Sequence, residues 1–101
     1  MEKLDQICFT IISTANMAKS SYLDALSAIK MGQFATAKVK LKEGDNALRE
    51  AHKTHMHIIS QEASGFKIDF SLLLMHAEDQ ISTAEIIKIL VEELCDFYPK
   101  S

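Results

Sequence analysis

The chain has 101 residues, 48% of them hydrophobic and 25% charged, with three Gly, one Pro and no Trp. That composition predicts one globular domain over residues 1–101, and so few breakers disfavour an all-β sandwich, which needs many turns. The formal net charge of -3 speaks against a nucleic-acid-binding module, whose phosphate contacts need a basic surface.

The N-terminus, Met1-Glu2-Lys3-Leu4-Asp5, carries acids and has no basic region leading into an apolar stretch, so no targeting segment is expected. Cys8 and Cys95 lie far apart and form no CxxC. That spacing predicts reduced thiols and a cytoplasmic location rather than a zinc site or a disulfide scaffold. The longest unbroken apolar run is Leu72–Met75, far short of the ~20 residues a membrane helix needs, so direct membrane insertion is not expected.

Gly32, Gly65 and Pro99 divide the chain into three pieces of similar length. A Gly after a periodic run is a helix C-terminal signal, because it takes the left-handed conformation at little steric cost. In the first piece Leu4, Ile7, Ile11, Ala15, Ala18, Tyr22, Ala25 and Ile29 recur at steps of three or four. In the second, Phe34, Ala37, Leu41, Gly44, Leu48, Ala51, His55, Ile58 and Glu62 alternate strictly, and Gly44 marks a close helix contact or a tolerated defect. Gln33 is a poor cap for that helix, whereas Asp69 or Ser71 can cap the third. The third piece repeats through Leu73, His76, Gln80, Thr83, Ile87, Leu90 and Leu94. Three helices of about 45 Å joined by short connections predict an all-α, antiparallel three-helix bundle.

The third helix is too apolar for a monomer. Beside its first row runs a second, Leu72, Met75, Asp79, Ser82, Ile86, Ile89 and Glu93, with further apolar residues at Leu74, Ala77, Ile81, Val91 and Phe97. So wide an arc predicts contact with another subunit, and dimer, trimer and tetramer all satisfy the periodicity. His76 and Asp79 interrupt these rows one turn apart. A buried acid there must be paired, protonated or bound to a metal. By themselves, a lone histidine on an apolar row is more often a hydrogen-bonded core residue than a catalyst, and Asp79 more often a paired acid than a ligand. His52, His55 and His57 lack the carboxylate and spacing of an HExxH zinc site. Lys38, Lys40, Lys42 and Glu43 read as a solvated helix face.

Residues 72–80, Leu-Leu-Leu-Met-His-Ala-Glu-Asp-Gln, resemble the signature L-L-x-[VM]-H-[AG]-Q-D-H-L-M of the lactose/cellobiose-family enzyme IIA components of the bacterial sugar phosphotransferase system (PTS). Glu50-Ala51-His52, Glu62-Ala63-Ser64-Gly65 and Met31-Gly32-Gln33-Phe34 resemble the family's E-A-H, E-A-S-G and x-G-D-F. The His-centred motif is the specific part, and the resemblance covers nearly the whole chain.

The resemblance implies a three-helix subunit of a homotrimer whose third helices line the axis. It implies one magnesium ion per trimer, held there by the motif aspartate, Asp79. It makes His76 the residue that accepts a phosphoryl group from the phosphocarrier HPr and donates it to a cysteine of the IIB component. A IIC membrane component then uses it in uptake of a disaccharide such as cellobiose, lactose or chitobiose. Gln80, one turn from His76, and Gln61 or His55 from the second helix are the expected neighbours of the phosphate.

Departures from the signature place Glu78 at its Gln, Gln80 at its second His and Ile81-Ser82 at its Leu-Met. His55-Met56 stands where the family has Gln-Thr. His76 is then the only candidate nucleophile in the motif, and Glu78 slows transfer if it points at the site. The chemistry suits the residue: neutral imidazole is a good nucleophile near pH 7, and its phosphorylated form stays labile. Placed inside a helix, His76 is expected to lack free backbone N–H groups around it. The alternatives are a diverged regulatory or structural helical bundle without phosphoryl transfer, and a metal-binding redox bundle. The latter needs the paired E-x-x-H motifs that this sequence lacks.

Overall fold

The computed structural model describes residues 3–98, which form three helices: α1 (Leu4–Lys30), α2 (Phe34–Ala63) and α3 (Leu72–Asp96). Pro99 and the first two residues lie outside the described range. The two internal glycines end the first two helices as their sequence context predicts. At Gly32 (φ 76°), the Gln33 N–H donates to the Ala28 carbonyl and the Gly32 N–H to that of Ile29. At Gly65 (φ 103°), Phe66 donates to Gln61 and Gly65 to Glu62. Both are Schellman caps, in which a left-handed residue lets the chain satisfy the last carbonyls. Between the two candidate caps of α3, Ser71 is the one used: its hydroxyl accepts from the Leu74 N–H at 3.0 Å. Gln33 makes no side-chain cap.

The helices pack into a rod 53 Å long and 19 by 18 Å across. Helix α1 is the central element, touching α2 and α3 far more extensively than they touch each other. Three polar pairs fix the direction of α3 against α2: Asp45–Lys88, His52–Glu85 and His55–Glu78. Residue numbers fall along α3 as they rise along α2. Against α1 they rise together, with Lys19 on Gln80 and Tyr22 under Lys88.

The core of α1 comprises Ile7, Cys8, Ile11, Ala15, Ala18, Tyr22, Ala25, Ala28 and Ile29. That of α2 comprises Ala37, Gly44, Leu48, Ala51 and Ile58, while Glu62 is exposed. Both follow the periodic rows of the sequence. Helix α3 does not. Its buried residues are Ala77, Ile81, Ala84, Val91 and Cys95, one position along from the expected row and so turned by about 100°. The small residues explain the shift. Ala77 and Ala84 face a helix whose own buried row includes Ala15, Ala18, Ala25 and Ala28, and small side chains allow helices to approach closely. The larger Leu90 and Leu94 are left outside, as are Leu72, Met75, Ile86, Ile89 and Phe97.

Gly44 meets the largest buried side chain. A Cβ there would lie 2.5–2.8 Å from three ring atoms of Tyr22, so the close contact is real and not a tolerated defect. The Tyr22 hydroxyl donates to Asp45 Oδ1 at 2.6 Å, and the Lys88 ammonium donates to the same oxygen at 2.8 Å and to Glu92 Oε2 at 2.6 Å. One residue from each helix thus meets at a single carboxylate. Burial pushes the Tyr22 hydroxyl far above its ordinary range, and its bond to Asp45 adds to that. For Asp45, desolvation raises the pKa, but the hydrogen bonds from Lys88 and Tyr22 outweigh it and the net shift is downward. Cys8 and Cys95 are free, buried thiols, and desolvation raises both pKa values.

Candidate functional site

His76 sits five residues beyond the Ser71 cap, in the second turn of α3. It is therefore near the helix start rather than in mid-helix. It is still one turn past the free N–H groups, where the dipole's influence has largely fallen away. Its ring is exposed, not a packed core histidine. The rotation of α3 is the reason: Ala77 takes the place against the core and turns its neighbour out to solvent.

The expected neighbours separate into distinct settings. Gln80, half-buried, follows His76 by one turn, so the two share a helix face. Its Oε1 accepts from the Lys19 ammonium of α1. His55, also half-buried, pairs through Nε2 with Glu78 Oε2 at 2.8 Å. That pair commits both side chains to the α2–α3 boundary, so Glu78 is held by α2 rather than left free beside His76. One turn earlier on α2, His52 makes the equivalent contact with Glu85 at 3.0 Å. Gln61 lies at the end of α2, where its backbone carbonyl accepts from Phe66, and no side-chain hydrogen bond draws it to His76.

Asp79 is exposed, on the outward row with Met75, Ile86 and Ile89. The chain by itself does not bury it. Among the described residues, no three His, Cys, Asp or Glu side chains of one chain converge to hold a metal. Lys19 is a neighbour of this face that periodicity misses. It lies next to Ala18 of the α1 core row, and only the packing of α3 reveals that a cation there reaches Gln80.

A cleft of about 570 Å³ lies at the opposite end of the rod, between Ile29, Phe34, Leu41, Glu92 and Cys95. His76 is exposed, a setting suited to a group delivered by another macromolecule rather than to a small substrate enclosed in a pocket.

Comparison with known proteins assigns the class. Residues 6–99 match the family described as "PTS system, Lactose/Cellobiose specific IIA subunit". The chain is 34% identical to the lactose-specific EIIA component of Staphylococcus aureus, over 98% of this chain and 96% of that one. It is 33% identical to the lichenan-specific phosphotransferase enzyme IIA component of Bacillus subtilis, over 98% and 90% respectively. The crystal structure of the PTS cellobiose-specific enzyme IIA from Bacillus anthracis superposes with a TM-score of 0.91 at 34% identity, covering 97% of this chain and 91% of that one. These are components of a phosphotransferase system. The chain belongs to the lactose/cellobiose-specific IIA family of that system.

Proposed function

We propose that this chain is a cytoplasmic phosphocarrier, accepting a phosphoryl group from phospho-HPr on His76 and donating it to the IIB component during uptake of a disaccharide. The observation that carries the reading is the exposure of His76, inside the family's signature, on a face open to docking proteins. A lone pair of one ring nitrogen attacks phosphorus, and the bond from phosphorus to the donor breaks with its electron pair leaving on the donor. The proton shed by the second ring nitrogen balances the one the donor recovers. Positioning and charge stabilisation are then the protein's whole task, as in other phosphoryl transfers. Names of the relatives span lactose, lichenan and cellobiose at nearly equal identity, so the proposed cargo is the disaccharide class that includes lactose, cellobiose and chitobiose.

The working unit in this reading is a homotrimer of antiparallel three-helix subunits, with α3 at the axis. The outward apolar row supports it: Leu72 and Phe97 are 75% and 83% exposed, with Ile86, Ile89 and Leu90 between them. A soluble chain covers such a patch by association. Asp79 would hold one magnesium ion per trimer. Asp79 is the carboxylate of that row within the motif, with Glu93 fourteen residues further along α3, and three copies of Asp79 about an axis supply three oxygen donors of the kind a hard cation prefers. The ion would neutralise clustered charge and hold the subunits in register.

Incubation with phosphoenolpyruvate, the general phosphotransferase enzymes and HPr tests the relay. An acid-labile phosphate that appears on the wild type and disappears in His76→Ala is expected. A chain that takes no label is instead a regulatory or structural bundle that kept the fold alone.

A further inference from the structure

On the reading that His76 carries the phosphoryl group, we propose that Lys19 and Gln80 form its anion-binding unit, Lys19 supplying the charge and the Gln80 amide the directed donors. Helix α3 cannot supply that charge itself. It carries six carboxylates, Glu78, Asp79, Glu85, Glu92, Glu93 and Asp96, and one lysine. That lysine, Lys88, is engaged by Asp45 and Glu92 and lies twelve residues from His76, about 18 Å along the helix. A phosphoryl group adds roughly two negative charges to this acidic surface. A compensating side-chain cation has to come from another helix, and Lys19 of α1 contacts the acceptor's face.

The contact also fixes the amide. An ammonium group can only donate, so the Gln80 atom facing Lys19 is the carbonyl oxygen. The two N–H donors of the Gln80 side chain are then free for phosphoryl oxygens one turn back at His76. Lys19 uses one of its three N–H donors on Gln80 and keeps the others. Glu78 does not compete, because His55 holds it at the α2 boundary. The pair thereby gives this chain, whose motif has Gln80 in place of a second histidine, both a charge and a pair of oriented donors.

The test compares label transfer from phospho-HPr to the full chain in wild type, Lys19→Met, Lys19→Arg, Gln80→Leu and the Met/Leu double variant, with circular dichroism as a folding control. Lys19→Met is expected to slow acceptance at least about tenfold, on an open surface a smaller loss than the ~10²–10³ that one oxyanion donor costs in an enclosed site. Lys19→Arg, which keeps the charge, is expected to restore most of the rate. The double variant is expected to be little slower than either single one, because the two act as a unit. Phosphorus NMR supplies a readout that a purely structural role would not move: without Lys19 the phosphoryl group on His76 should titrate at higher pH, having lost a neighbouring cation. Wild-type rates and an unchanged titration in Lys19→Met overturn the role of Lys19 while leaving His76 as acceptor. A slowed rate with an unchanged titration overturns it as well. A wild type that takes no label on His76 removes the acceptor and this unit together.

Discussion

Gly44 and Tyr22 show how one missing Cβ organises the bundle. The ring fills the space over Gly44 and reaches Asp45 on the next residue, so the two helices are locked at one height. Two effects oppose each other when a methyl group is added. Alanine recovers about 1 kcal/mol of helix propensity, whereas forcing a group into a packed core costs typically ~1–3 kcal/mol. The ring is fully buried and tied down at its hydroxyl, so it has little room to yield. Gly44→Ala should therefore lower the melting temperature. In a Tyr22→Leu background, where the ring is gone, the same change should become neutral or stabilising. Thermal melts of the four proteins at one concentration check this, and equal penalties in both backgrounds would show that the ring is not the obstacle.

At the scale of elements, three polar pairs cross the α2–α3 boundary, and Asp45–Lys88 is the one that also engages α1. Its pH dependence has a definite sign. The carboxyl of Asp45 is held below its ordinary range, so the stability it contributes is present above about pH 3.9 and is lost as pH falls through the lower folded value. The Lys88 pKa is reduced by desolvation, but the bonds to Asp45 and Glu92 outweigh that and raise it. Its contribution is complete below about pH 10.4 and is lost as pH rises through the higher folded value. The contribution of this pair should plateau between these limits. In Asp45→Asn, part of the acid-side fall should vanish, by a modest amount because the carboxylate is more than a third exposed. Thermal melts across the acid range measure it, and a variant with the wild-type slope would assign the acid loss elsewhere. The same boundary explains which features were legible. Gly32, Gly65 and Ser71 act locally, so the sequence around each is enough to place the helix ends. The α1 and α2 rows are legible because their residues match their burial. The α3 core is not, because its buried row runs through Ala77, Ile81, Ala84, Val91 and Cys95 while Leu72, Met75, Ile86, Ile89, Leu90 and Leu94 face outward. Lys19 beside Gln80 and Glu78 on His55 depend on how whole helices meet, which no local pattern encodes.

At the scale of the whole molecule, the same misfit carries the argument for assembly. Helix α3 buries Ala77 and Ala84 with Ile81 and Val91 and leaves Leu72, Ile86, Ile89 and Leu90 exposed, which sets a broad apolar row where another copy could reach it. Asp79 is the one acid in that row between Met75 and Ile86, and it sets the sign of the assembly prediction. If three Asp79 carboxylates meet at an axis, their repulsion opposes association unless a cation intervenes, and Asp79→Leu exchanges repelling charges for apolar surface. The variant should remain trimeric and persist to lower protein concentration than the wild type. In that arrangement chelation should weaken the wild-type assembly and leave the variant unchanged, because only the wild type would need an ion between its carboxylates. Sedimentation equilibrium with and without chelator measures both effects. A variant that falls apart into monomers would mean that the carboxylate makes a specific bond across the interface that apolar contact cannot replace, and a wild type that is a stable monomer would leave the outward row of α3 without a partner of its own kind.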